Sequence, residues 1–182
     1  EYPELMGADA PRAYLILAQN DDELRPTGGF ISSVGVARVS KGRLVEMQFA
    51  DASTLDDLDK EFPLPPEPLQ RYMLAGIWLL RDANWSPDFP TAARQAVDFY
   101  ARSRGESVDG VIAVNQRALR ALVEAVGALT VAGIDTPVTT ENLNAYVREA
   151  WGPPDGKVTA EWMRQRKEFI GNIAKALLER LQ

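Results

Sequence analysis

Arg166 is the residue whose position most needs a chemical explanation. If the chain from about Thr159 to Leu181 turns as one helix, a single apolar stripe forms. It contains Trp162, Met163, Phe169, Ile170, Ile173, Ala174, Leu177 and Leu181. Arg166 falls in the middle of that stripe, one turn after Trp162 and one turn before Ile170. A guanidinium there needs a partner, because an unpaired buried charge is costly. The partner is either an internal carboxylate or a bound anion. Arg164 falls on the outer face, and Lys167 on the flank beside Arg166.

A second group is Arg81-Asp82-Ala83-Asn84-Trp85-Ser86-Pro87-Asp88-Phe89-Pro90. The two prolines hold Ser86 and Phe89 extended, and Trp85 and Phe89 are expected to anchor the segment by burial. Arg81, Asp82, Asn84 and Asp88 then stand just ahead of a helix N-terminus, whose free N–H groups suit phosphate. Asp82 and Asp88 could instead hold Mg²⁺ through oxygen. In the blander reading, Asp88 caps the helix and Arg81 pairs with Asp82. A third group is Asn20 to Gly29. Arg25 precedes a Gly-Gly step whose amides could cradle an anion, or the segment is an ordinary connecting turn. Asp51 closes a strand and could bring one carboxylate to the same cleft. The run Asp56, Asp57, Asp59, Glu61 reads as a solvated loop.

Composition narrows the chemistry. The 182 residues include no Cys and no His. Thiolate nucleophiles, Ser-His-Asp triads and His- or Cys-ligated metals are therefore excluded. What remains is carboxylates, Lys, Arg, Tyr, Ser/Thr and oxygen-held metals. The net charge of -6 argues against nucleic acid as the main partner. Arg outnumbers Lys by 15 to 5. Arg stays charged when buried and grips carboxylate or phosphate with two bonds, although a GC-rich genome would give the same bias. Residues 157–182 carry 6 bases and 3 acids, a local excess within an acidic chain.

These groups need a frame. Ala13–Gln19 is a short apolar run and reads as a buried strand. Phe30–Val39 and Arg43–Ala50 read as a hairpin across Ser40-Lys41-Gly42. Pro63–Pro68 is an extended connector. Helices are expected over Leu69–Leu80, Thr91–Arg104 and Gln116–Val126. A fourth, capped by Thr139 or Thr140, would face Leu143, Tyr146, Val147, Ala150 and Trp151 inward, and the last begins near Thr159. Further short strands are expected over Asp109–Asn115 and Leu129–Ala132. Length predicts one domain over residues 1–182. Helices and strands that alternate after a hairpin predict a layered α-β-α domain with a central mixed sheet. No stretch is long enough and apolar enough to span a membrane. The abrupt opening at Glu1-Tyr2-Pro3 suggests part of a longer protein.

Three stretches together resemble a bacterial family, the domain of unknown function numbered 4012. They are Gln19-Asn20 through Glu23-Leu24-Arg25-Pro26-Thr27-Gly28-Gly29-Phe30, then Arg81 to Pro90, then Val108-Asp109-Gly110-Val111-Ile112-Ala113-Val114. That family usually follows an N-terminal membrane anchor, which implies an extracytoplasmic domain anchored to the membrane. The layout is more distantly similar to the LytR-CpsA-Psr family. The similar parts are the strand before Asn115, the helix ending at Gly127, Leu129-Thr130-Val131, and Ala145-Tyr146-Val147-Arg148 followed by Arg164-Gln165-Arg166.

Those domains bind polyprenyl-pyrophosphate lipids and transfer glycopolymers, using arginines and aspartates with Mg²⁺. The resemblance implies Arg148 and either Arg164 or Arg166 as pyrophosphate ligands. On that reading Arg25, Arg81 and Asn84 complete the ligand set, with Asp51 and Asp82 as catalytic residues and Mg²⁺ ligands of a phosphotransferase. Ala50 and Ala150 stand where that family has arginines, which favours the alternative of a non-catalytic binding or interaction module of the cell envelope. A glycosidase using Asp51 and Asp82 would need both to flank a sugar cleft.

Overall fold

The strand called by the apolar run after Pro11 is β1 (Arg12–Asn20), and it lies inside the sheet. The structure is a computed structural model that describes residues 2–149, 152, 156, 157, 159, 162 and 168–181. A short α1 (Tyr2–Leu5) precedes β1, and β2 (Phe30–Ser40) and β3 (Arg43–Asp51) follow it. Then come α2 (Glu67–Met73), α3 (Phe89–Arg104), β4 (Gly110–Asn115), α4 (Gln116–Val126), α5 (Leu143–Glu149) and α6 (Glu168–Leu181). Tight 3-10 turns occupy Pro26–Gly28, Ala52–Thr54 and Leu80–Trp85.

The sheet order is β3-β2-β1-β4. Lys41 and Gly42 both take positive φ, 50° and 76°, between the paired Ser40 and Arg43. That is the mirror-image turn whose twist suits a two-residue hairpin. β1 and β2 are antiparallel, with a slip after Ala18, where the Ser32 hydroxyl donates to the Ala18 carbonyl at 3.0 Å. On the other edge, Asp109 fastens the start of β4 to the start of β1. Its amide donates to Ala13 O at 2.7 Å, and its carboxylate accepts from Ala13 N at 2.8 Å and Arg12 Nη1 at 2.6 Å. Strands that begin together run parallel, so the sheet is mixed. The layered α/β class is the one expected.

Packing divides the chain into two compact units, residues 1–113 and 114–182, where length alone predicts one domain. In the first unit Leu15, Leu17, Ile31 and Val34 of the sheet pack with Ala96, Phe99 and Tyr100 of α3. Asp88 caps α3 by accepting from Thr91 N at 2.9 Å, Pro90 sits in its first turn, and Gly105 ends it in the left-handed region. The second unit has its own core, including Val123, Leu129, Val138, Leu143, Ile173 and Leu177. Among the described residues, no helix is long and apolar enough to cross a membrane.

Three expectations change. The helix predicted over Leu69–Leu80 ends at Met73, because Leu74 turns left-handed (φ 54°) and Ala75 N closes back on Leu69 O. The strand predicted over Leu129–Ala132 is a single bridge, Leu129 to Val138, since the chain reverses at Gly133. Phe89 is not a buried anchor: as the first residue of α3 it is exposed. The predicted final helix is described from Glu168 onward, with Ile173 and Leu177 buried as the stripe requires. Met163, Arg164 and Arg166 lie outside the described residues.

Candidate functional site

Asp82 is the centre of the site in the first unit. It sits in the 3-10 turn Leu80–Trp85, whose backbone leaves helical geometry at Asn84, and Leu80, Ala83 and Asn84 are buried with it. Trp78 packs edge-on against Phe99 and donates its indole N–H to the Asp82 carbonyl at 2.9 Å. The core of the unit thus fixes the backbone that carries the carboxylate.

Two guanidiniums face that carboxylate from segments far apart in sequence. Arg25 Nε lies 3.8 Å from Asp82 Oδ1, and Arg81 Nε lies 3.6 Å from Oδ2. Both are ion-pair distances, longer than a charge-assisted hydrogen bond at about 2.7–2.9 Å. Arg25 is mostly buried, its guanidinium lies 5.4 Å from the Phe30 ring centroid, and its Nε has no hydrogen-bond partner. Burial pushes the Asp82 carboxyl above the usual aspartate range, while Arg81 and Arg25 pull against it. Asp56 stands nearby. Its Oδ1 accepts from Leu80 N at 3.1 Å, and its Oδ2 is buried without a partner. Burial raises the Asp56 pKa, the Leu80 bond and Arg81 oppose the rise, and the charge of Asp82 adds to it.

The loop that carries Arg25 is held by Asn84. Its Nδ2 donates to Pro26 O at 2.9 Å, Thr27 Oγ1 at 3.2 Å and Gly29 O at 2.8 Å. Gln19 Nε2 donates to the same Thr27 hydroxyl at 2.8 Å. Gly29 has φ 135° and lies against β1. A Cβ there would meet Asn20 O at 2.2 Å, so only glycine fits. The Gly-Gly step therefore serves close packing of the loop.

Arg25, Arg81 and Asp82 are among the residues that line a cavity of about 560 Å³. Its other walls are largely apolar, including Leu58, Leu69, Met73, Leu74, Ile77 and Leu79. The size falls within the roughly 300–1,000 Å³ of small-molecule pockets. A largely apolar cavity lined also by two arginines can take a ligand that combines an anionic group with a greasy chain.

Of the residues singled out from sequence, Arg25, Arg81 and Asp82 come together, and the pairing of Arg81 with Asp82 is that of the blander reading. Asn84 is buried and its Nδ2 is committed to the loop, while its Oδ1 is buried without a hydrogen-bond partner. Asp88 is the helix cap of the blander reading. Asp51 caps its own turn, its Oδ1 accepting from Ser53 N at 2.9 Å and Ser53 Oγ at 2.8 Å. Arg148 is exposed near the end of α5, in the second unit.

Asp51 and Asp82 do not make a Mg²⁺ cage by themselves. Two arginines occupy the position of a cation beside Asp82, and among the described residues no group of three or more acidic side chains could hold a metal. Two features escaped the sequence reading. Asp56 looked like one member of a solvated acidic run, although it directly follows the buried Leu55. The apolar wall at 74–79 was read as the end of a helix.

A mixed sheet bearing an arginine-aspartate cluster that lines a largely apolar cavity defines an α/β domain with a pocket of mixed polarity. The chain belongs to the family described as Protein of unknown function (DUF4012), whose model matches residues 9–151. Among curated proteins, none matches the sequence. Two crystal structures share the fold. One is of a Bacillus subtilis protein described as the transcriptional regulator yvhJ. It is 13% identical, with a TM-score of 0.57 over 93% of this chain and 62% of that one. The other, from Enterococcus faecalis and described as transcriptional regulator EF0465, is 14% identical. Its TM-score is 0.53 over 96% of this chain and 60% of that one. The chain thus spans about three-fifths of the length of either protein.

Proposed function

We propose that the first unit binds the headgroup of a polyprenyl-pyrophosphate-linked glycan, as a binding module of the bacterial cell envelope on the extracytoplasmic side of the membrane. One observation carries the reading. Arg25 and Arg81 flank Asp82 at 3.8 and 3.6 Å, and all three line a largely apolar cavity. A pyrophosphate offers those guanidiniums charge-assisted bonds shorter than the separations they keep from Asp82. Burial already favours the neutral form of Asp82, so its carboxyl can take up a proton as the guanidiniums turn to the incoming anion. The apolar walls take the first isoprene units of the chain, where burial supplies affinity.

The distant resemblance of the sequence to the LytR-CpsA-Psr family, if it extends to the ligand, implies the same lipid class. Transfer of the glycan would be a further step, and Mg²⁺, if used, would arrive with the pyrophosphate oxygens. Binding alone needs neither.

Calorimetric titration with farnesyl pyrophosphate, farnesol and inorganic pyrophosphate tests the proposal. Farnesyl pyrophosphate is expected to bind most tightly, because it alone satisfies both the arginines and the apolar walls. Arg25→Ala and Arg81→Ala should each weaken it by about tenfold or more, the worth of a charge-assisted bond. Equal binding of farnesol, or an Arg81→Ala variant that binds like the parent chain, would sink the idea.

A further inference from the structure

The cavity does not end in a polar surface. Large apolar side chains stand exposed through its flanking segment: Leu58, Leu64, Tyr72, Met73, Leu74 and Ile77. Singly, exposed apolar residues need no explanation, but a contiguous group marks an interaction surface. Leu58, Met73, Leu74 and Ile77 also line the cavity, so the apolar interior runs without a break onto the exterior. Leu74 is 85% exposed and is the left-handed residue that ends α2, a conformation a leucine adopts only under constraint. Gln70 Nε2 donates to Pro65 O at 2.6 Å, which keeps the neighbouring Leu64, 77% exposed, beside α2.

We infer that this rim is a membrane-contacting surface that dips into the interfacial layer of a lipid bilayer around the mouth of the cavity. Three observations favour a bilayer over a protein partner. Tyr72 presents an exposed amphipathic ring with the Arg71 guanidinium 5.3 Å from its centroid, the pairing of ring and cation suited to headgroup depth. Arg71 and Arg81 are exposed cations beside the apolar patch, complementary to lipid phosphates. The third rests on the proposed ligand: a cavity of about 560 Å³ takes only part of a long prenyl chain, and an apolar rim leaves the remainder of that chain in the membrane. Glu67, paired with Arg71, offsets part of the positive charge, so insertion of apolar side chains rather than anionic lipid should dominate.

Co-sedimentation of the chain with vesicles of pure phosphatidylcholine, and of phosphatidylcholine and phosphatidylglycerol at about three to one, tests the surface. The chain should pellet with both. Leu64→Asp and Tyr72→Asp lie on the rim and outside the cavity, so each should cut the bound fraction by about tenfold while leaving the titration with farnesyl pyrophosphate unchanged. Arg25→Ala should do the reverse, losing the pyrophosphate and keeping the vesicles, which separates failure of the surface from failure of the site. A chain that stays in the supernatant, or a Tyr72→Asp variant that pellets like the parent, overturns the inference. A dimer in size-exclusion chromatography that Leu64→Asp dissolves also overturns it, in favour of a second copy of the chain.

Discussion

Asp56 and Asp82 place two reluctant carboxylates beside one arginine, and their titration has a definite sign. Burial raises both pKa values in the folded state. A group of this kind contributes stability when protonated. The contribution is complete below the ordinary aspartate range and fades as pH rises through the raised value. Asp88 and Asp109 have the opposite sign, held low by bonds from Thr91 and Ala13, so their contribution fades as pH falls. Asp56→Asn cannot ionise and keeps an acceptor for Leu80 N. Urea midpoints measured from about pH 4 to about pH 7 should therefore fall less with rising pH in the variant than in the parent. Parallel profiles would refute that assignment. At this scale the sequence was readable where a residue's own type settled the question: Arg25, Arg81 and Asp82 were named from their chemistry. Asp56 was missed because a run of acids near a proline-rich connector looks the same whether its first member points in or out.

Among the elements, the join between the Arg25 loop and the 3-10 turn Leu80–Trp85 matters most for the site. Asn84 donates to both Pro26 O and Gly29 O. Asn84→Ala would remove both bonds, one to a buried and one to a part-buried acceptor, at a cost of about 2–3 kcal/mol, and would release the loop that aims Arg25. The expected outcome is a lower urea midpoint together with weaker binding of farnesyl pyrophosphate. An unchanged midpoint would show that the join carries no load. Helix and strand identities were largely legible, because period and punctuation agree: Gly42 marks a hairpin, and Pro90 and Gly105 bracket α3. The end of α2 was not legible. Leu74, Ala75, Ile77 and Trp78 keep a helix-like apolar pattern, while the turn that stops the helix depends on a left-handed leucine that no propensity favours.

For the molecule as a whole, Phe99 connects core to site. It is fully buried, with the edges of Phe62 and Trp78 against it at centroid distances of 5.6 and 5.4 Å. Phe99→Ala should cost about 3–5 kcal/mol, a large share of the roughly 5–15 kcal/mol that holds a typical domain together. Because Trp78 also holds Asp82 in place, the same variant should bind farnesyl pyrophosphate more weakly even at temperatures where it remains folded. Chemical denaturation and titration of one sample measure both effects. The layered α/β class was legible from the order of elements, whereas the division at residue 113 was not, since β4 runs straight through it with no break in composition.

The fastening of β4 to β1 sets a timetable for the newborn chain. Arg12 and Asp109 are 97 positions apart. At a ribosomal rate of about 5–20 residues per second, β1 waits roughly 5–20 seconds before its last neighbour exists. During that wait one side of a strongly apolar strand has backbone groups to offer and nothing native to receive them. Such an edge invites pairing with the wrong chain. A holdase would guard it until Asp109 arrives.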